Sequence, residues 1–123
     1  MLTWLLLTAV TAAQADDVMK REKDGTYVVN TTTLAKDVEG YNGPTPVEVY
    51  IRKNKIVKVV PLKNQEGPKY MAQVKKGMLA KYEGMSVRKG TVAEVDGVTG
   101  ATFTSDAVRE NIRRAIDYYK QHK

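Results

Sequence analysis

Val47-Glu48-Val49-Tyr50-Ile51-Arg52-Lys53-Asn54-Lys55-Ile56-Val57-Lys58-Val59-Val60-Pro61-Leu62 decides the fold of this chain. Val47, Val49 and Ile51 alternate with Glu48, Tyr50 and Arg52, which gives one apolar face and one polar face at the period of a strand. Lys53-Asn54-Lys55 is a short polar turn in which Asn54 tolerates positive φ. Ile56–Leu62 then reads as the returning strand, so the stretch is an antiparallel hairpin.

On the N-terminal side, Gly40-Tyr41-Asn42-Gly43-Pro44 is a turn cluster. Gly25–Thr33 is β-branched and aromatic behind a turn residue and reads as a further strand. Asp16–Asp24 is charged without a clear period and reads as a lead-in. On the C-terminal side, Lys63–Pro68 is a loop. Met71, Val74, Met78 and Tyr82 then form a helical stripe within Tyr70–Tyr82, with Lys75, Lys76 and Lys81 away from it. Gly77 weakens that helix by about 1 kcal/mol relative to Ala, and Gly84 suits its exit. Val92 and Val95 suggest a short strand. From about Ser105 a last helix places Val108, Ile112, Ala115, Ile116 and Tyr119 on one face, with Thr104 or Ser105 as its N-cap. The order is β-β-β-α-β-α: an α+β fold with two helices packed on a small antiparallel sheet.

The 123 residues are one domain's worth, with 42% hydrophobic and 28% charged residues. The chain has no cysteine, which excludes disulfides, thiolate-held clusters and a thiol nucleophile. Its single histidine, His122, lies in the final residues and reads as solvated, so zinc sites and Ser-His-Asp catalysis lack their parts. The net charge of +6 is spread among acidic residues, with no basic run or basic–aromatic ladder, so no nucleic-acid partner is expected. Met1–Ala15 has a short apolar run followed by Ala13-Gln14-Ala15, a small-x-small pattern, although no Lys or Arg precedes the run. It reads as a signal peptide cleaved after Ala15. The expected divisions are therefore 1–15 signal peptide, 16–24 lead-in and 25–123 folded domain.

The chemistry concentrates in Asp96-Gly97-Val98-Thr99-Gly100-Ala101-Thr102-Phe103-Thr104-Ser105-Asp106. Two glycines and four hydroxyls precede an amphipathic helix. A helix start presents unpaired N–H groups and the positive end of the macrodipole. Gly100 and Gly97 permit backbone geometry closed to other residues, Ala101 leaves room, and Thr102 and Thr104 bring hydroxyls to the helix mouth. A phosphate fits such a place. The same residues also serve as an ordinary capped helix after a glycine turn.

Asp96-Gly97-Val98-Thr99-Gly100-Ala101-Thr102 matches the pattern Asp-x-x-(Ser/Thr)-Gly-Ala-Thr and resembles the FMN-binding domain family. This is the domain of the flavin-carrying subunits of sodium-translocating NADH:quinone reductase and ion-translocating ferredoxin oxidoreductase, with free-standing exported members. The resemblance extends over roughly Gly25–Lys120, through Asp24–Tyr27, Gly40–Pro44, the hairpin and, less distinctively, Asn64–Pro68. It implies FMN as cofactor, joined through its phosphate to the Thr102 hydroxyl by a flavin transferase that uses FAD. It implies roles for Asp96, Thr99, Gly100 and Ala101 in transferase recognition and phosphate fit, with Thr104 and Ser105 beside them. Tyr41, Asn42 and Met71 are candidates for the flavin ring, Met71 equally a core residue.

Since no acid/base pair stands beside a substrate pocket, the chemistry would belong to the cofactor. The implied protein is an electron carrier rather than a stand-alone enzyme. It would be periplasmic or at the extracytoplasmic face of the membrane, working between a membrane redox complex or other donor and an extracytoplasmic acceptor. The basic chain is also expected to favour anionic reduced flavin. Two other readings stand beside it: a reversible FMN-binding subunit of a small reductase, and a cofactor-free exported binding module.

Overall fold

In the computed structural model, which describes residues 18–123, the hairpin forms where its alternation places it. Strands β3 (Val47–Arg52) and β4 (Lys55–Pro61) are joined through Lys53 and Asn54, at φ 51° and 60°. Positive φ at both central residues is the geometry that matches the twist of the flanking strands. Ile51 pairs with Ile56 and Tyr50 with Lys58, so Val57 is the extra residue of a bulge and is left half exposed. The bulge restores Ile56 and Val59 to the same inner face.

Strand β2 (Tyr27–Asn30) pairs with β3, and β1 (Met19–Arg21) pairs with β2, giving a four-stranded antiparallel sheet in the order β1-β2-β3-β4. The lead-in segment therefore contributes an edge strand. The expected cleavage site and apolar run of Met1–Ala15 lie outside the described residues.

Two helices cover the inner face. Helix α1 spans Pro68–Gly77, and a 3-10 turn follows over Leu79–Tyr82. Helix α2 spans Thr102–His122 and buries Val108, Ile112, Ala115, Ile116 and Tyr119 in one core with Val29, Val49 and Ile51. Tyr119 packs edge-on against Tyr27, and its hydroxyl donates to Asn54 at 2.8 Å, tying the end of α2 to the hairpin turn.

The α+β class and its two packed helices hold, while three local expectations are corrected. The helix expected over Tyr70–Tyr82 ends at Gly77, and Met78 leaves helical geometry at φ −127°. A Cβ at position 77 would sit 3.3 Å from the Val98 side chain, so the glycine admits the loop ahead of α2. Val92 and Val95 form no strand. The Val95 carbonyl is taken by the Arg109 side chain rather than by a sheet neighbour. The element order is thus β-β-β-β-α-α, with the fourth strand ahead of the expected first one rather than between the helices. Finally, α2 begins at Thr102, about one turn before Ser105, and neither Thr104 nor Ser105 caps it.

Candidate functional site

The site begins with a tight turn. The Ala101 N–H donates to the Val98 carbonyl at 3.0 Å, and Gly100 sits at φ +87°, which only glycine adopts without strain. Ser105 is fully buried, and its Oγ accepts the Val98 N–H at 3.0 Å. Gly97 lies against Ser105, because a Cβ there would come within 2.9 Å of the serine's own. Ser105 therefore holds the turn.

Ala101 occupies the N-cap position with no capping side chain and no acidic residue in the first turn. The first intrahelical bond runs from the Ser105 N–H to the Ala101 carbonyl. The N–H groups of Thr102, Phe103 and Thr104 are left without helical partners at the positive end of a 21-residue helix. Thr102, the first helical residue, is exposed.

These groups form the foot of an open cleft of about 310 Å³. Gly100, Ala101, Thr102 and Thr104 line it on one side, and Tyr41, Asn42 and Gly67 on the other. Its walls are aromatic. Tyr41 is 75% exposed, Phe103 66% and Tyr70 49%, and with Val57 they are the exposed large hydrophobic side chains of the described residues. Three of those four face this one cleft. The Tyr41 and Phe103 rings have centroids 6.3 Å apart and are tilted by 36°. Aromatic surface gathered at one place marks a binding site rather than scattered exposure, and open ring faces suit a planar aromatic ligand.

Behind the cleft lies Glu66, 5% exposed. Its Oε1 accepts the Tyr41 N–H at 2.7 Å and the Thr104 hydroxyl at 2.7 Å, and its Oε2 accepts the Asn42 N–H at 2.6 Å. Thr104 thus gives its hydroxyl proton to protein. No Lys or Arg lines the cleft. A phosphate there would be met by helix N–H groups.

The sequence-predicted site residues divide. Tyr41, Asn42, Gly100, Ala101, Thr102 and Thr104 come together at the cleft. Asp96 and Thr99 are exposed on the approach to the turn but do not line it, and Ser105 is buried beneath it. Met71 is half-buried against the core and does not line the cleft. Sequence reasoning missed Glu66, Tyr70 and Phe103. Glu66 did leave a signal, being the sole acidic residue between Glu48 and Glu83, among eight lysines and an arginine.

A second cleft of about 330 Å³ opens elsewhere on α2. The loop at Thr91–Glu94 forms one wall, and Asp106, Arg109, Glu110 and Arg113 the other. Arg109 donates twice to the Val95 carbonyl, at 2.8 and 3.2 Å, and pairs with Asp106 at 2.7 Å. Arg113 bridges Glu110 and Asp117. Tyr82 forms part of the floor, where burial pushes its phenol above the ordinary range.

The four-stranded α+β domain, with an anion-ready helix start beside an aromatic cleft, defines a binder of a phosphorylated planar cofactor. The model of the FMN-binding domain family matches residues 40–117, which include both walls and the foot of the first cleft; the chain belongs to that family, and FMN is its cofactor. Strands β1 and β2 lie ahead of the matched span. No curated protein matches the chain.

Proposed function

We propose that this protein is an extracytoplasmic electron-transfer flavoprotein whose FMN is esterified to Thr102 Oγ. The observation that carries the reading is the Thr102 hydroxyl itself. It is exposed at the first residue of α2, beside free helix N–H groups and at the foot of the aromatic cleft. A phosphate joined to this oxygen is held by the N–H groups of the first turn. Tyr41, Phe103 and Tyr70 offer faces and edges to the ring. When bound, FMN supplies the electron-accepting and electron-donating chemistry. The chain supplies attachment, orientation and shielding.

In the attachment step, Thr102 Oγ loses its proton to solvent and forms a bond to the phosphorus on the FMN side of FAD. The pyrophosphate bond breaks and AMP leaves. The exposure of Thr102 lets a flavin transferase reach it on the folded protein. Among the described residues no helix is long and apolar enough to cross a membrane. Export rests on the Met1–Ala15 segment, and a membrane redox complex and an extracytoplasmic acceptor are the partners of the proposal.

The test is mass spectrometry of the protein co-expressed with a flavin transferase. One FMN adduct is expected on the peptide holding Thr102, absent in Thr102→Ala. An unmodified peptide under those conditions overturns the ester, and flavin that is freed by denaturation points to reversible binding. N-terminal sequencing of the mature protein tests export, with Asp16 expected as the first residue. Retention of Met1 counts against it.

A further inference from the structure

Glu66 is the single charged side chain among the buried described residues, and no cation pairs with it. Removing a carboxylate from water without a counter-ion is costly, and here three hydrogen-bond donors offset the cost. Two of them are the consecutive backbone N–H groups of Tyr41 and Asn42, and the third is the Thr104 hydroxyl. Tyr41 is one aromatic wall of the cleft. Thr104 adjoins Phe103, the other wall, and lies two residues from Thr102. The carboxylate therefore joins segments 24 to 38 residues distant from it in sequence.

Two neighbours are fitted to this arrangement. Asn64 Oδ1 accepts the Glu66 N–H at 3.0 Å while its Nδ2 donates to the Leu62 carbonyl, fixing the loop that carries the glutamate. Gly40 has no positive φ to explain it, yet a Cβ there would fall on the Glu66 carboxylate.

We infer that Glu66 is a positioning residue of the flavin site: its buried carboxylate fastens the Tyr41–Asn42 loop to the first turn of α2 and so sets the spacing of the aromatic walls around Thr102. The inference rests on the flavin-site reading but has a readout without flavin. A glutamine cannot replace the glutamate, because its amide would turn N–H groups toward the Asn42 N–H or the other donors. Thr104→Val removes one donor at nearly constant shape, and Thr104→Ser keeps it.

In flavin-free protein, amide exchange at Tyr41 and Asn42 should accelerate about tenfold in Glu66→Gln and Thr104→Val, the scale of one lost charge-assisted hydrogen bond. Amides of α2 near Ile112 should not change, and Thr104→Ser should match the parent. In flavin-loaded protein, the same two variants should gain flavin fluorescence and lose visible circular dichroism at unchanged loading, as the rings cease to hold the flavin. Val29→Ala, in the core away from the cleft, serves as a variant that is merely less stable. If Thr102 carries no flavin, the comparison is read as a weakened dissociation constant for added FMN, which separates failure of the ester from failure of the positioning role. Unchanged flavin signals in both variants, or an equal change in Val29→Ala, would overturn the inference.

Discussion

Two clefts of nearly equal size open along α2, and they differ in what their walls have left to offer. At the second cleft every nearby cation is engaged by its own protein: Arg109 by Val95 and Asp106, Arg113 by Glu110 and Asp117. At the first no charged side chain lines the surface, yet backbone N–H groups, a hydroxyl and three ring faces remain free. The lesson is that volume and formal charge do not single out the proposed phosphate site. The uncommitted donors do, and they belong to the backbone.

The largest expected effect is all-or-none. Thr102→Val should abolish the flavin adduct, Thr102→Ser should retain it in part, and Thr91→Val in the second cleft should leave it whole, all read by intact mass. Next come the walls. In Thr102→Val protein titrated with free FMN, Tyr41→Ala or Phe103→Ala should weaken binding about tenfold, or about 1.4 kcal/mol, as expected for loss of one stacked ring. Equal weakening by Val92→Ala would erase the distinction between the clefts.

A smaller effect belongs to the second cleft. Arg109→Met should lower unfolding free energy by about 1–2 kcal/mol in denaturant titration, through loss of the bonds to the Val95 carbonyl, with flavin loading unchanged. The smallest is a pH effect. Hydrogen bonding from Arg113, opposed by desolvation and reinforced by Arg114, lowers the Glu110 pKa from 4.5 to about 2. A depressed carboxylate pKa gives stability that is full above the ordinary value and is lost as pH falls from about 4.5 through about 2. The group is partly exposed, so the effect is small. Glu110→Gln should flatten that part of the acid limb in thermal melts between pH 5 and 2.

The parts legible in the sequence were those set by local patterns. The hairpin showed in a two-residue period, α2 in a stripe from Val108 to Tyr119, and the helix mouth in glycines and hydroxyls within a few residues of one another. Long-range partners left no such period. Val92 and Val95 look like a strand until the Arg109 guanidinium, fourteen residues on, takes the carbonyl that a ladder would need. Thr104 looks like a cap until Glu66 takes its hydroxyl. Met19–Arg21 is too short to show a period and gains its order by pairing with β2. Tyr70 and Phe103 lie off the buried faces of their helices, so core patterning passes over them.

The placement of the cleft has a consequence for the order of assembly. None of its aromatic walls belongs to the buried core, which closes through Val29, Val49, Ile112, Ile116 and their neighbours without them. On the proposed reading, folding and colouring are therefore separable events: the bare chain is expected to reach its native shape on its own apolar contacts and then to present the Thr102 hydroxyl, so that a preparation without flavin would be an unfinished protein rather than a misfolded one.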